Sequence, residues 1–121
     1  MRLQTEFEFT LPRGYVDAEG NLHRRGIMRL ATAADEIVPL RDPRVKGNQA
    51  YLVIVLLSRV ITRLGTIENV GTWELEKLFT ADLAYLQRFY RQINEHGTSV
   101  VTTQCPECSA TVEVDLAELG G

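Results

Sequence analysis

Residues 48–65 read NQAYLVIVLLSRVITRLG, and the fold turns on how this stretch is read. Its first half is apolar nearly all round, as suits an element buried on every side. Its second half keeps Leu56, Leu57, Val60, Ile61 and Leu64 on one helical face and sets Arg59 and Arg63 on another. The spacing predicts one central helix over 48–64, with Gly65 as the left-handed residue just past its end. The longest apolar run within it, Tyr51 to Leu57, is seven residues. A membrane-spanning helix needs roughly 20, so no bilayer crossing is predicted.

Upstream of this stretch the period changes from helical to two-residue. In TEFEFTL, residues 5–11, Phe7, Phe9 and Leu11 share one face and Glu6, Glu8 and Thr10 the other, the pattern of a half-buried strand. A cluster of turn residues follows (Pro12, Gly14, Asp17, Gly20, Asn21). Alternation then resumes in HRRGIMRLA, with Ile27 and Arg29 opposite Met28 and Leu30, which predicts an N-terminal β-hairpin over 1–31. Thr32 ahead of Ala33, Ala34, Asp35 and Glu36 reads as a helix start, a hydroxyl cap followed by carboxylates in the first turn. Pro39, Asp42-Pro43 and Gly47 predict a loop between that short helix and the central one.

Downstream, Trp73, Leu75, Leu78, Phe79, Leu83, Leu86, Tyr90 and Ile93 recur at three- and four-residue spacing up to Gly97, which predicts two helices or one bent helix over 72–96. Strand alternation returns at Val100 to Thr103 and at Thr111 to Asp115, around the turn CPEC. The expected fold is therefore α+β in a single domain over 1–121: an N-terminal hairpin (1–31), three to four helices around a central buried helix (32–96), and a C-terminal hairpin with a CxxC knuckle (98–116).

A chain of 121 residues, 45% hydrophobic and 24% charged, has the makeup of a soluble globular domain able to bury a core without metals or disulfides. Thirteen basic residues against sixteen acidic ones give a formal charge of −3, a balance that points away from nucleic acid. The opening MRLQTEFEFT carries glutamates where a secretory signal needs an uninterrupted apolar stretch, so a cytoplasmic location is predicted.

The two cysteines, Cys105 and Cys108, stand astride Pro106 and Glu107. Two thiolates converging from such a knuckle present half of a zinc tetrahedron, and zinc is the cofactor the pair admits. To complete four ligands the chain offers only His96 and His23, or else a second knuckle from a symmetric partner through self-association. A redox pair is the other active reading, although redox CxxC pairs sit at helix N-termini and this one lies between strands. The third reading is two thiols that decorate a turn.

Nothing assembles a Ser-His-Asp or Cys-His arrangement, and PRGYVDAEGN matches neither phosphate-binding glycine patterns nor the calcium loop, so no catalytic residue is assigned. Asp35, Glu36, Arg41, Asp42, Arg44 and Lys46 read as a solvated, mixed-charge surface. Trp73, Phe79, Tyr85, Phe89 and Tyr90 read as core, with Phe89 or Tyr85 as the aromatics that face a partner.

The stretches FEFTLPRGYVDAEGNLHRRGIMRLATAADEIVPLRDPRV and NQAYLVIVLLSRVITRLG, with the terminal CPEC turn, resemble a family of small proteins encoded with phage-tail-like contractile injection systems, the phage tail assembly proteins. The resemblance covers nearly the whole chain. It implies a non-enzymatic structural or assembly protein that binds baseplate, hub or tube subunits and is incorporated in, or works on, the particle. Relatives often continue the cysteine turn with glycine, where this chain has Ser109. A distinct expectation, independent of tails, is a small zinc-binding adaptor or thiol-redox module using Cys105 and Cys108. Under the assembly reading, the working parts are exposed hairpins whose edge strands pair with a neighbouring chain.

Overall fold

A computed structural model describes residues 4–104 and 111–119. Its N-terminal half is a three-stranded antiparallel sheet in the order β1 (Glu6–Val16), β2 (Leu22–Arg29), β3 (Ile61–Leu64). Between β2 and β3 lie α1 (Ala33–Ile37), a 3-10 turn (Val38–Arg41), α2 (Pro43–Gly47), a second 3-10 turn (Gln49–Tyr51) and α3 (Leu52–Val60). After β3 come α4 (Thr72–Glu76), the long α5 (Thr80–His96), the antiparallel pair β4 (Val100–Gln104) and β5 (Thr111–Asp115), and α6 (Leu116–Leu119).

This corrects the expected N-terminal hairpin and central helix. The stretch 48–65 is not one helix: α3 stops at Val60, and Ile61–Leu64 turns back as a third strand. Met28 pairs with Ile61, Ile27 with Arg63 and Gly26 with Leu64. Two causes act together. Val60, Ile61 and Thr62 are consecutive β-branched residues, which crowd a helix and suit a pleat. A two-stranded ribbon alone is marginal in water, and β2 has an open second edge until β3 fills it. The helical spacing of Val60, Ile61 and Leu64 is real, but tertiary pairing overrides it.

Gly26 lets the third strand approach: a Cβ there would overlap the Phe9 ring and the Arg63 carbonyl. Gly65, at φ 62°, closes β3 rather than a helix, and its amide donates to the Arg25 carbonyl at 2.7 Å. The predicted loop also hides structure. Asp42-Pro43, read as a break, begins α2: the Asp42 side chain accepts from the Arg44 amide at 2.8 Å, and Pro43 occupies the first turn, where its missing N–H costs nothing. The cysteine turn of the expected C-terminal hairpin lies outside the described residues.

Phe7, Phe9, Leu11 and Met28 on the inner face of the sheet meet Leu57, Val60, Tyr85, Leu86, Phe89 and Ile93 from α3 and α5 in one core. Phe9 meets Phe89 edge-on, with ring centroids 5.9 Å apart. Burying each such side chain contributes about 2 kcal/mol. α5 is pinned at both ends. Asp82, 0% exposed, accepts from the Arg13 amide at 2.8 Å and the Gly14 amide at 3.1 Å where β1 bulges. Toward the other end, Asn94 Oδ1 accepts from the Ala31 amide at 2.8 Å.

Candidate interaction surface

Of the residues singled out as ligands, Cys105 and Cys108 lie outside the described residues. His96 is largely exposed at the end of α5, beside Gly97 at φ 69°, where its role is that of a helix-end residue. His23 is on β2 and buried, at 7% exposure. Its Nε2 lies 2.8 Å from Asp17 Oδ2, its ring stacks on Tyr15, and a Cβ on Gly65 would overlap its Nδ1. Asp17 also accepts from the amides of Glu19 and Asn21, each at 2.9 Å. His23 foremost, then those amides, lower the Asp17 carboxyl to about 2. The histidine therefore braces the hairpin turn to the end of β3. Among the described residues, no group of three or more His, Cys, Asp and Glu is placed to hold a metal.

The mixed-charge stretch expected to be solvated contains a buried carboxylate. Asp35 is 2% exposed and takes both arms of Arg29, at 2.7 and 2.9 Å, together with Arg59 Nε at 3.0 Å. It also accepts the Thr32 amide at 2.8 Å and the Thr32 hydroxyl at 3.1 Å, closing the first turn of α1. Arg29 reaches on to the Arg59 carbonyl at 2.9 Å, so one carboxylate joins β2, α1 and α3. The Arg29 guanidinium foremost, then the Thr32 amide and Arg59, hold this carboxyl far below the ordinary carboxylate range. Every buried side-chain nitrogen and oxygen among the described residues has a hydrogen-bond partner. These polar clusters are satisfied braces.

Tyr85 and Phe89, the aromatics expected to face a partner, are 1% and 0% exposed and belong to the core, whereas Trp73 and Phe79, expected inside, are 66% and 53% exposed. Phe79 caps α5 with its backbone, and Lys77 sets its ammonium 4.1 Å from the Trp73 ring centroid. Sequence periodicity missed Trp73 because α4 is only five residues long, too short for spacing to assign a face, and missed Phe79 because it lies between α4 and α5, outside either helix.

Ile37, Val38 and Leu40 are also exposed, packed into four positions around the buried Pro39. Open grooves of about 290 Å³ flank this turn, one reaching Val55 and Arg59, the other Val45 and Leu52. Arg44 ties the turn region to α4: it forks onto Asp42 at 2.8 and 3.1 Å, donates to Thr72 Oγ1 at 3.1 Å and lies over Tyr51, whose hydroxyl donates to Glu76 at 2.6 Å. Val16 and Leu22, opposite each other at the hairpin end, are the other large apolar side chains exposed among the described residues.

No protein family, curated protein or solved structure matches this chain. No helix among the described residues is long and apolar enough to cross a membrane.

Proposed function

We propose that the chain is a non-enzymatic structural or assembly protein of a contractile phage-tail-like particle, and that it binds baseplate, hub or tube subunits and is incorporated in the particle or acts on it in the cytoplasm. The observation that carries this reading is the exposure of Ile37, Val38, Leu40, Trp73 and Phe79 on elements locked from beneath by the Asp35 and Arg44 braces. Apolar side chains held in water on rigid backbone cost solubility and bring no folding gain, which is the pattern of side chains meant to be covered by protein. An exposed Trp such as Trp73, with the Lys77 ammonium over its ring, is the kind of residue that dominates protein contacts. The kind of partner is taken from the resemblance of residues 7–45 and 48–65 and the CPEC turn to phage tail assembly proteins.

A tagged copy expressed in cells producing the particle is expected to retain tube, hub or baseplate subunits, identified by mass spectrometry. Leu40→Glu with Trp73→Glu is expected to lose them while the chain stays folded. Retention undiminished by those changes would count against this surface, and no particle subunit retained by the unaltered chain would count against the function.

A further inference from the structure

β1 is an edge strand, and its edge is closed along one half only. The Leu30 amide donates to the Thr5 carbonyl at 2.7 Å, which sets the ladder so that Phe7 and Phe9 exchange bonds with Met28 and Gly26 while Glu6, Glu8 and Thr10 turn their amides outward. Further along, the outward donors are spoken for. The Thr10 amide donates to Tyr85 Oη at 3.2 Å, Pro12 has no N–H, and the Arg13 and Gly14 amides go to Asp82. At the N-terminal half the amides of Glu6 and Glu8 and the Glu8 carbonyl have no partner among the described residues, and the Glu6 carbonyl is covered by the exposed Gln4 side-chain amide at 3.1 Å.

Beside this open half runs a groove of about 390 Å³, walled across from β1 by Ser99, Asp115 and Ala117. Tyr85 holds the far wall in place by donating to the Leu116 carbonyl at 2.6 Å, as does the Leu116 amide by donating to the Ser99 carbonyl at 2.9 Å. Three carboxylates line the groove, Glu6, Glu8 and Asp115, against one guanidinium, Arg25. A second copy pairing its own β1 there in antiparallel fashion would set Glu6 against Glu8 of its neighbour, which is unfavourable.

We infer that this groove takes one extended segment of a partner protein as a fourth strand, with basic side chains at alternate positions facing Glu6 and Glu8 and small apolar ones between them against the wall of Ser99 and Ala117. The inference rests on the proposed role in protein contact and names the chemistry of one partner segment. Backbone pairing would supply affinity, and the alternation of charge would supply the choice of segment. The Gln4 amide on the Glu6 carbonyl is a placeholder that an incoming amide replaces.

The test titrates the isotope-labelled full chain with an acetylated and amidated heptapeptide of alternating valine and lysine, followed by amide shifts and hydrogen exchange. Binding is expected to slow exchange of the Glu6 and Glu8 amides by about tenfold or more, with little change at Thr10, whose amide is already held. The same peptide with its pairing amides methylated, and one with glutamate for lysine, are expected not to bind. Glu6→Lys with Glu8→Lys, both at exposed positions, should leave the melting temperature in place and swap the preference to the glutamate peptide. Shifts that map away from β1, equal binding of either peptide, or self-association through the edge by sedimentation would each overturn strand capture. Particle subunits still retained through Leu40 and Trp73 in that event would leave the assembly function standing.

Discussion

At the scale of single residues, the decisive groups are carboxylates whose role the sequence disguises. Asp35 is one of six charged residues that read as solvated surface, and nothing in its spacing shows that Arg29, six residues before it, and Arg59, 24 residues after it, converge on it. Asp35→Ala removes a buried carboxylate from two arginines that are themselves about a third exposed and can turn to water, so it is expected to cost about 2 kcal/mol in urea denaturation. Arg59→Ala removes a single bond at 3.0 Å and leaves the two-armed Arg29 contact, so its cost should be clearly smaller. The pH dependence follows from the direction of the shift. A carboxyl whose folded pKa lies below its unfolded value of about 4 contributes stability above that pH and loses it as the pH falls further. Asp35, held far down by Arg29, and Asp17, lowered to about 2 by His23, act in the same sense. Stability measured against pH should therefore fall below about pH 4, and Asp35→Asn should flatten that fall. An unchanged slope would remove Asp35 from the account.

At the scale of elements, the strands of the first hairpin were legible because Phe7, Phe9 and Leu11 alternate strictly with polar neighbours and their burial follows that alternation. The long helix before Gly97 was legible for the matching reason, a sustained helical stripe closed by a left-handed glycine. β3 was not, because four residues satisfy a helical face and a strand equally well, and only the open edge of β2 chooses between them. Backbone chemical shifts at Ile61–Leu64 are expected to be those of extended chain, and Ile61→Ala, which empties a site 4% exposed opposite Met28, to cost about 3 kcal/mol. Gly65 permits a sharper test. Gly65→Ala should be destabilising both through its φ of 62° and through overlap with His23. In a His23→Ala background the overlap disappears, leaving about 1 kcal/mol for the backbone alone. Equal costs in both backgrounds would contradict the close packing of the two residues.

At the scale of the whole molecule, the division is between a braced interior and an apolar exterior. Among the described residues the interior leaves no buried side-chain nitrogen or oxygen without a partner, while Leu40 and Trp73 stand in water on short elements whose faces no periodicity assigns, and Phe79 does so just ahead of α5. Tyr85 and Phe89, read as core with one or other facing a partner, are both at the centre, because α5 carries aromatics on more than one side and spacing alone does not say which side the sheet covers. The same division explains why surface changes should separate function from folding: exposed side chains away from braces alter stability by about 0.5 kcal/mol or less. The measurement that bears most directly on this division compares the unaltered chain with the Leu40→Glu, Trp73→Glu variant in one experiment, recording the melting temperature and the particle subunits each retains from producing cells. Equal melting temperatures, with tube, hub or baseplate subunits held by the first chain and lost from the second, are the predicted result. The same subunits held by both chains would contradict the claim that this exterior does the protein's work.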